Sequence, residues 1–398
     1  MKLLVITTGS YPFGGAATNR HLSYLRGLVE QGIYVKLFII QPDNNQSKKS
    51  NKKKGEFNGI KFEYTNWNFN LNKSIIQKLF SRIQGHKNAI QKIKYLIKTG
   101  NDDIWILMLA TKSFDILPYL VFSKLYNIPI FHERTEFPFV NTHNVSQKFS
   151  LWFYLNFLIP RFDGIFVITK ALMEYFAQYV ISIDRLIHIP MTVEGERFMN
   201  NQERINEFGE YIGYCGSMYS DKDGVPDLIQ AFSLFCESNE SINLLLIGDN
   251  SDQTRFKKIQ NCIESSPYKE RIFCIGQIER DEMPKYLNSA KLLALARPDN
   301  IQAKGGFPTK LGEYLATGKP VVVTKVGEIS EYLFDKENAF LSDPDNPKDF
   351  AKKMLEVISN YSNALLVGQK GREVVLSSFS YNIQAVRLFQ FMNKQANS

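Results

Sequence analysis

The 398-residue chain has no uninterrupted apolar run of the roughly 18 or more residues that a membrane-spanning helix needs. The nearest stretch, residues 149–160, is broken by Ser150 and Asn156. No cleavable leader is expected, because the apolar residues 2–6 are cut short by Thr7-Thr8-Gly9-Ser10 and read better as a buried first strand. Cysteine is scarce. Cys215, Cys236, Cys262 and Cys274 all fall in the second half, with no Cys-x-x-Cys pair and no zinc spacing. Each sits in an apolar segment and reads as a buried free thiol, which points to a reducing, cytoplasmic setting. Excess charge of one sign is small: 48 Lys and Arg against 40 Asp and Glu leave +8. Part of it is the run Lys48-Lys49-Ser50-Asn51-Lys52-Lys53-Lys54. That run reads as a solvated loop, with attraction to anionic lipid or an anionic acceptor as the other reading. Neither a basic face interleaved with aromatics nor a recognisable module marks a nucleic-acid partner, so none is expected.

What is present is globular. Hydrophobic residues make up 44% and charged residues 22%, and the length suits two domains. Short apolar runs that read as strands cover residues 3–8, 34–41, 60–64, 103–109, 128–132, 164–169 and 186–190. Helical patterns at 18–31, 114–126 and 171–179 lie between them. The rhythm restarts in the second half, with strands at 211–215, 243–247, 272–275, 291–295 and 320–324. Helices there fit 225–236, 254–264, 282–289, 309–317 and 349–360. Continuous apolar strands separated by amphipathic helices indicate parallel sheets covered on both faces. The expected fold class is α/β, with two doubly wound domains facing across a cleft: residues 1–192 and 207–380. The polar segment 192–209 reads as the linker, and a last helix at 381–394 is free to pack back on the first domain.

Ligands of doubly wound sheets bind beyond the carboxyl ends of the strands, which selects four segments. Gly14-Gly15 follows the first strand and opens a helix, where paired glycines admit a ligand close to the backbone. The loop lacks the Gly-x-Gly-x-x-Gly fingerprint and the Walker pattern, which argues against a nicotinamide enzyme. Gly216-Ser217 ends a strand and leads through Lys222 at a helix entrance, a position suited to a diphosphate. Gly305-Gly306-Phe307-Pro308-Thr309-Lys310-Leu311-Gly312-Glu313 lies downstream of Arg297-Pro298. Here Glu313 can reach a ribose at the helix start, and Lys310 offers charge to phosphate oxygens; the duller alternative is that the two side chains pair with each other. Finally, Phe131-His132-Glu133-Arg134-Thr135-Glu136 closes a first-domain strand.

Together these segments resemble glycosyltransferase family 4, whose members are retaining enzymes of the two-domain GT-B fold. Tyr11-Pro12 with Gly14-Gly15 resembles the family's N-terminal glycine loop, and residues 216–224 its phosphate turn. Residues 310–322 resemble the second half of its Glu-x7-Glu motif with the strand that follows, and residues 162–169 the strand before the interdomain crossing. Two departures stand out: Gly305 occupies the place of the first glutamate, and Ser217 that of the turn's arginine. The Pro-x-Lys-x-x-Glu variant found among envelope polysaccharide enzymes fits Pro308 to Glu313, so Lys310, together with Arg297, is expected to make up the lost arginine charge.

The resemblance implies transfer of a hexose or related sugar from a nucleoside diphosphate donor to an acceptor hydroxyl, with no cofactor and no metal. Lys222, Lys310, Glu313 and His132 are its candidate catalytic residues. Gly14, Gly15, Gly216, Ser217, Lys222, Arg297, Gly306, Phe307, Lys310, Leu311 and Glu313 are its candidate donor-binding positions. His132, Glu133 and Glu136 stand on the acceptor side. A lipid-linked glycan acceptor in capsule or O-antigen assembly is the expected partner. The aromatic stretch 150–159 offers either a core helix or a contact with the inner face of the plasma membrane. A non-catalytic sugar-nucleotide-binding subunit and a GT-B sugar-nucleotide epimerase are the alternative functions; a phosphorylase is disfavoured by the Glu313 segment and by the lack of a pyridoxal lysine site.

Overall fold

A computed structural model of the chain describes residues 1–9, 11–41, 52–67, 74–100, 102–139, 144–200, 203–218 and 221–398. By contact these form two compact units, Met1–Thr192 with Tyr381–Ser398, and Val193–Ser380.

The first unit is built on eight strands: β1 (Lys2–Thr7), β2 (Tyr34–Ile39), β3 (Lys54–Phe57), β4 (Ile60–Tyr64), β5 (Ile104–Met108), β6 (Ile130–Arg134), β7 (Gly164–Val167) and β8 (Leu186–His188). They lie in the order β3-β4-β2-β1-β5-β6-β7-β8, parallel except for β3 against β4. The central strands are buried along their length, as in β5 and β6, because helices cover both faces. The edge strand β3 was not expected from the sequence. It alternates exposed and half-buried residues and turns back through Asn58-Gly59, both at positive φ. That dipeptide is a two-residue hairpin signal. Also unexpected was the 25-residue helix Ile75–Thr99. The last helix, Tyr381–Ala396, packs in this unit against the helix Ala16–Glu30. The Tyr381 hydroxyl donates to the Glu30 carboxylate, and the Arg26 guanidinium lies 5.1 Å from the Tyr381 ring centre.

The second unit holds β9 (Tyr211–Cys215), β10 (Asn243–Ile247), β11 (Ile272–Ile275), β12 (Leu292–Leu295), β13 (Val321–Thr324) and β14 (Phe340–Ser342). All are parallel, in the order β11-β10-β9-β12-β13-β14. Strand β14 and the helix Tyr361–Val374 extend the expected pattern. Residues 193–200 and 203–206, which the sequence suggested as linker, pack into this unit. Asn288 Nδ2 donates to the Phe198 carbonyl at 2.9 Å, and the Ile205 N–H to Ser289 Oγ at 2.9 Å. All four cysteines are free, with Cys236 buried and the others half-buried. Among the described residues no helix is long and apolar enough to cross a membrane. Lys48, Lys49, Ser50 and Asn51 of the lysine run lie outside the described residues.

Each sheet has one place where the chain reverses its direction of winding: between β1 and β5 in the first unit, between β9 and β12 in the second. Loops diverge at such a point and open a crevice at the carboxyl ends of the strands.

Candidate functional site

The second unit gathers its predicted residues at the β9/β12 switch point. Strand β9 runs out into Gly216, and the half-buried Lys222 sits in the single turn Asp221–Asp223 that leads into the helix Val225–Cys236. The helix Thr309–Ala316 is fastened to the end of β9 by its own side chains. The Cys215 N–H donates to the Tyr314 hydroxyl at 2.6 Å, and that hydroxyl donates to the Cys215 carbonyl at 3.1 Å. One turn earlier, the Lys310 ammonium bonds the Asp223 carboxylate and lies 4.9 Å from the Tyr214 ring centre. The Tyr214 hydroxyl donates to Asp223 Oδ2 at 3.1 Å, completing the cluster. A methyl group at Gly216 would lie 1.8 Å from Lys310 Nζ, so only glycine lets the ammonium come so close to the strand end.

The electrostatics follow from burial. Burial by itself would raise the Asp223 carboxyl, but the charge and hydrogen bond of Lys310, joined by Arg297, outweigh it and hold the group below its ordinary value. Arg297, which follows β12, is fully buried. Two cations therefore surround one carboxylate here. Asp221 and Asp223 have the spacing Asp-x-Asp, yet Asp223 is engaged by Lys310. Among the described residues no group of three or more His, Cys, Asp or Glu could hold a metal ion.

Glu313 does not pair with Lys310, the duller alternative. Its Oε1 lies 3.8 Å from Arg197 Nη1, and burial raises its carboxyl against the pull of Arg197, Arg280 and Lys310. Arg197 donates to the Arg280 carbonyl, and Arg280 Nη2 bonds Glu194 Oε1 at 2.5 Å. Sequence reasoning missed Glu194, Arg197 and Arg280. The first two were hidden in the supposed linker, and the third in a polar loop without a motif.

Not every predicted donor residue offers its side chain. Leu311 is fully buried, and Phe307 packs its ring on Tyr332 and Phe379 at centroid distances of 5.8 and 5.4 Å. These two are core residues that brace the loop. Gly306 ends the short helix Ile301–Gly305, which also contains Gly305, and Ser217 is exposed. In the first unit Gly15 caps the helix Ala16–Glu30, and a methyl group there would meet nothing within 4 Å, while Gly14 beside it is half-buried.

The histidine expectation is corrected by the structure. His132 is fully buried, with Nδ1 donating to the Met108 carbonyl at 2.8 Å and Nε2 accepting from the Tyr154 hydroxyl at 2.8 Å. Its ring stacks on Phe162 at 4.7 Å. Burial, helped by the nearby Arg134, pushes its pKa down to about 3, so it is a neutral core group with both nitrogens in use. Glu133 is likewise interior. Its carboxylate accepts from Arg20 Nε at 3.0 Å and the Tyr24 hydroxyl at 2.9 Å, and faces His21 Nε2 at 2.8 Å. Burial opposes its ionisation, but His21 and Arg20 overcome that and set its pKa at about 2. Arg20 also donates to the Pro190 and Ile189 carbonyls, tying the first helix to the end of the unit's last strand. Glu133 is thus the keystone of a structural network and is not exposed to an acceptor. Of the three acceptor-side candidates only Glu136 is accessible, half-buried beyond the end of β6.

Residues 196–374 match the family described as glycosyl transferases group 1. That match takes in nearly all of the second unit. The chain is 29% identical over 174 residues to an uncharacterized glycosyltransferase, MJ1178, of Methanocaldococcus jannaschii, covering 44% of this chain and 46% of that one. It is 26% identical over 177 residues to the capsular polysaccharide biosynthesis glycosyltransferase CapM of Staphylococcus aureus, covering 43% of each. These matches span less than half the length of either relative. Over nearly the full length, the fold is similar to that of Anabaena HepE crystallised with UDP-glucose, with a TM-score of 0.70 at 15% identity, covering 98% of this chain and 99% of that one. The architecture is GT-B, with an eight- and a six-stranded sheet, and the matched residues include Lys310, Asp223 and Glu313.

Proposed function

We propose that this chain is a retaining glycosyltransferase that moves a sugar from a nucleoside diphosphate donor to an acceptor hydroxyl in the assembly of a cell-envelope polysaccharide. The single observation that carries the proposal is the Lys310 ammonium, held by Asp223 against the Gly216 strand end with Glu313 one turn further along the same helix. In the reaction the bond from the sugar's anomeric carbon to the diphosphate oxygen breaks and its electron pair leaves with the diphosphate. The acceptor oxygen bonds that carbon, and its proton passes to an oxygen of the departing diphosphate. The leaving group is already good, so the protein's task is to stabilise developing negative charge. Lys310, Lys222 and the amides at the start of two helices are the groups that supply this. Glu313 accepts the ribose hydroxyls.

The acceptor is proposed to be lipid-linked and used at the cytoplasmic side of the membrane, a reading supported by the likeness to a capsule enzyme. Of the first-unit candidates, Glu136 is the one whose half-buried side chain leaves it open to such a role. The test is incubation with a panel of nucleotide sugars, with and without a membrane lipid extract, followed by detection of nucleoside diphosphate and of the product's anomeric configuration. Release of diphosphate with retention supports the proposal. Binding of a donor without release under every condition, or epimerised nucleotide sugar as the product, would replace it with the subunit or the epimerase reading.

A further inference from the structure

The first unit carries three helices that expose large apolar side chains among lysines and polar residues. On Ile75–Thr99 the side chains of Ile76, Leu79, Phe80 and Ile83 recur at i, i+3, i+4 and i+7 and are 66, 48, 67 and 45% exposed. Phe114, Leu117 and Val121 repeat the pattern on Ser113–Tyr126, and Phe149 and Trp152 on Val145–Phe153. A stripe with this spacing ordinarily turns inward. On the second helix the inward positions are filled separately by Ile116 and Leu120, whereas the first helix is buried only from Gly85 onward, at Ala89 and Ile93, so its apolar first turns stand clear of the core. The three helices are neighbours. Arg82 lies 5.9 Å from the Phe114 ring centre and pairs with the buried Asp115, and Ser113 Oγ lies 3.4 Å from the Ser150 carbonyl.

Charge identifies the occupant. Residues 74–100, 112–127 and 144–161 hold ten Lys and Arg and one carboxylate, Asp115, which is buried. Of the chain's 48 basic and 40 acidic residues, 38 and 39 lie elsewhere, so the whole positive excess belongs to these segments. Apolar side chains bordered by cations and free of exposed carboxylates match the boundary between lipid headgroups and acyl chains. A second copy of the same face would bring like charge against like charge. A nucleic acid would find mainly aliphatic side chains, which give bases little to stack on.

We infer that this three-helix face docks on a membrane surface rich in anionic phospholipid. The inference deepens the proposal of a lipid-linked acceptor but relies on no step of sugar transfer. Its test is sedimentation of the full chain with vesicles of phosphatidylcholine alone or mixed with phosphatidylglycerol, read together with tryptophan fluorescence. Binding should be about tenfold or more tighter to the mixed vesicles, and about 0.5 M salt should weaken it by a similar factor. Half-exposed Trp152 should shift to the blue on binding, and Trp152→Phe should remove that shift. The double variants L79S/F80S and F149S/W152S should each lower partitioning about tenfold with melting temperature and nucleotide-sugar binding unchanged, because these side chains already face solvent. No binding to either vesicle, or equal binding by the double variants, would overturn the inference. So would a concentration-dependent dimer lost in F149S/W152S, or tight retention of single-stranded RNA by a chain that ignores vesicles. Failure of this test leaves diphosphate release intact, and failure of diphosphate release leaves vesicle binding intact.

Discussion

Lys310 and Asp223 form an ion pair that joins residues 87 apart in sequence, with 12% and 7% of their side chains exposed. Asp223 fixes the ammonium against the end of β9, and Lys310 in return keeps a buried carboxylate ionised. Removing one partner strands the other, at about 3–5 kcal/mol for a buried pair. Lys310→Met should therefore lower both the melting temperature and donor affinity. Lys310→Met combined with Asp223→Asn should recover much of the stability and none of the donor affinity. That split, measured by calorimetry on the four proteins of the cycle, separates the structural from the binding role. Full recovery of donor binding in the double variant would remove Lys310 from the donor site.

Glu313 gives a second prediction, this time about ribose. A carboxylate that accepts the sugar hydroxyls discriminates against a nucleotide lacking one, so the wild type should bind a 2′-deoxy donor about 10- to 100-fold more weakly. Glu313→Ala should weaken the ordinary donor by a similar factor and level the two. If the variant still prefers the ribonucleotide by the full margin, Glu313 serves only to balance Arg197.

The buried first-unit groups set a pH dependence. His132 has its pKa depressed from 6.5 to about 3, so the unfolded chain takes up a proton that the folded chain refuses between those values. Stability from this group is complete above about pH 6.5 and falls as pH drops, at about 1.4 kcal/mol per pH unit. Glu133 is depressed from 4.5 to about 2, so its contribution is present above pH 4.5 and is lost as pH falls toward 2. Unfolding free energy measured by urea titration from pH 7 to pH 4 should thus slope downward with acid. His132→Phe should flatten the part between pH 6.5 and 4.5 while leaving turnover of the folded enzyme at neutral pH unchanged. A large loss of turnover without loss of stability would return His132 to the active site.

Much of the fold was legible because the buried parallel strands of both sheets are continuous apolar runs, and β9, β10 and β11 have the bounds their sequences predicted. Elements with mixed patterns escaped. The helix Ile75–Thr99 exposes apolar side chains in its first turns and buries others further on, which blurs the period that marks a helix. At the site, the Gly216, Lys310 and Glu313 segments were singled out by their place after strands and by resemblance to a family's motifs. Partners were not. Asp223 is an ordinary turn aspartate until folding sets it against Lys310, and nothing around His132 in sequence says that Met108 and Tyr154 will consume both its nitrogens.

Gly224 is the residue on which the geometry of the β9/β12 crevice turns. It begins the helix Val225–Cys236 in the left-handed region, φ 63 and ψ 35, and a methyl group there would lie 1.8 Å from the Ala296 carbonyl oxygen at the end of β12. Gly224→Ala must therefore pay backbone strain and push the helix entrance away from β12, at about 2–4 kcal/mol together. The same shift would carry Lys222 and Asp223 away from Arg297, so donor affinity should fall along with the melting temperature, even at temperatures where the variant is fully folded. Gly15→Ala provides the contrast, since its φ of −86 suits any residue and a methyl group meets no atom within 4 Å. Its stability should fall by about 1 kcal/mol or less, the cost of alanine in place of glycine at an N-cap. If Gly15→Ala slows transfer while its melting temperature stays put, the space before that helix is used by substrate. If transfer is unaffected, the glycine loop of the first unit is only a turn, and recognition of the donor rests with the residues around Gly216.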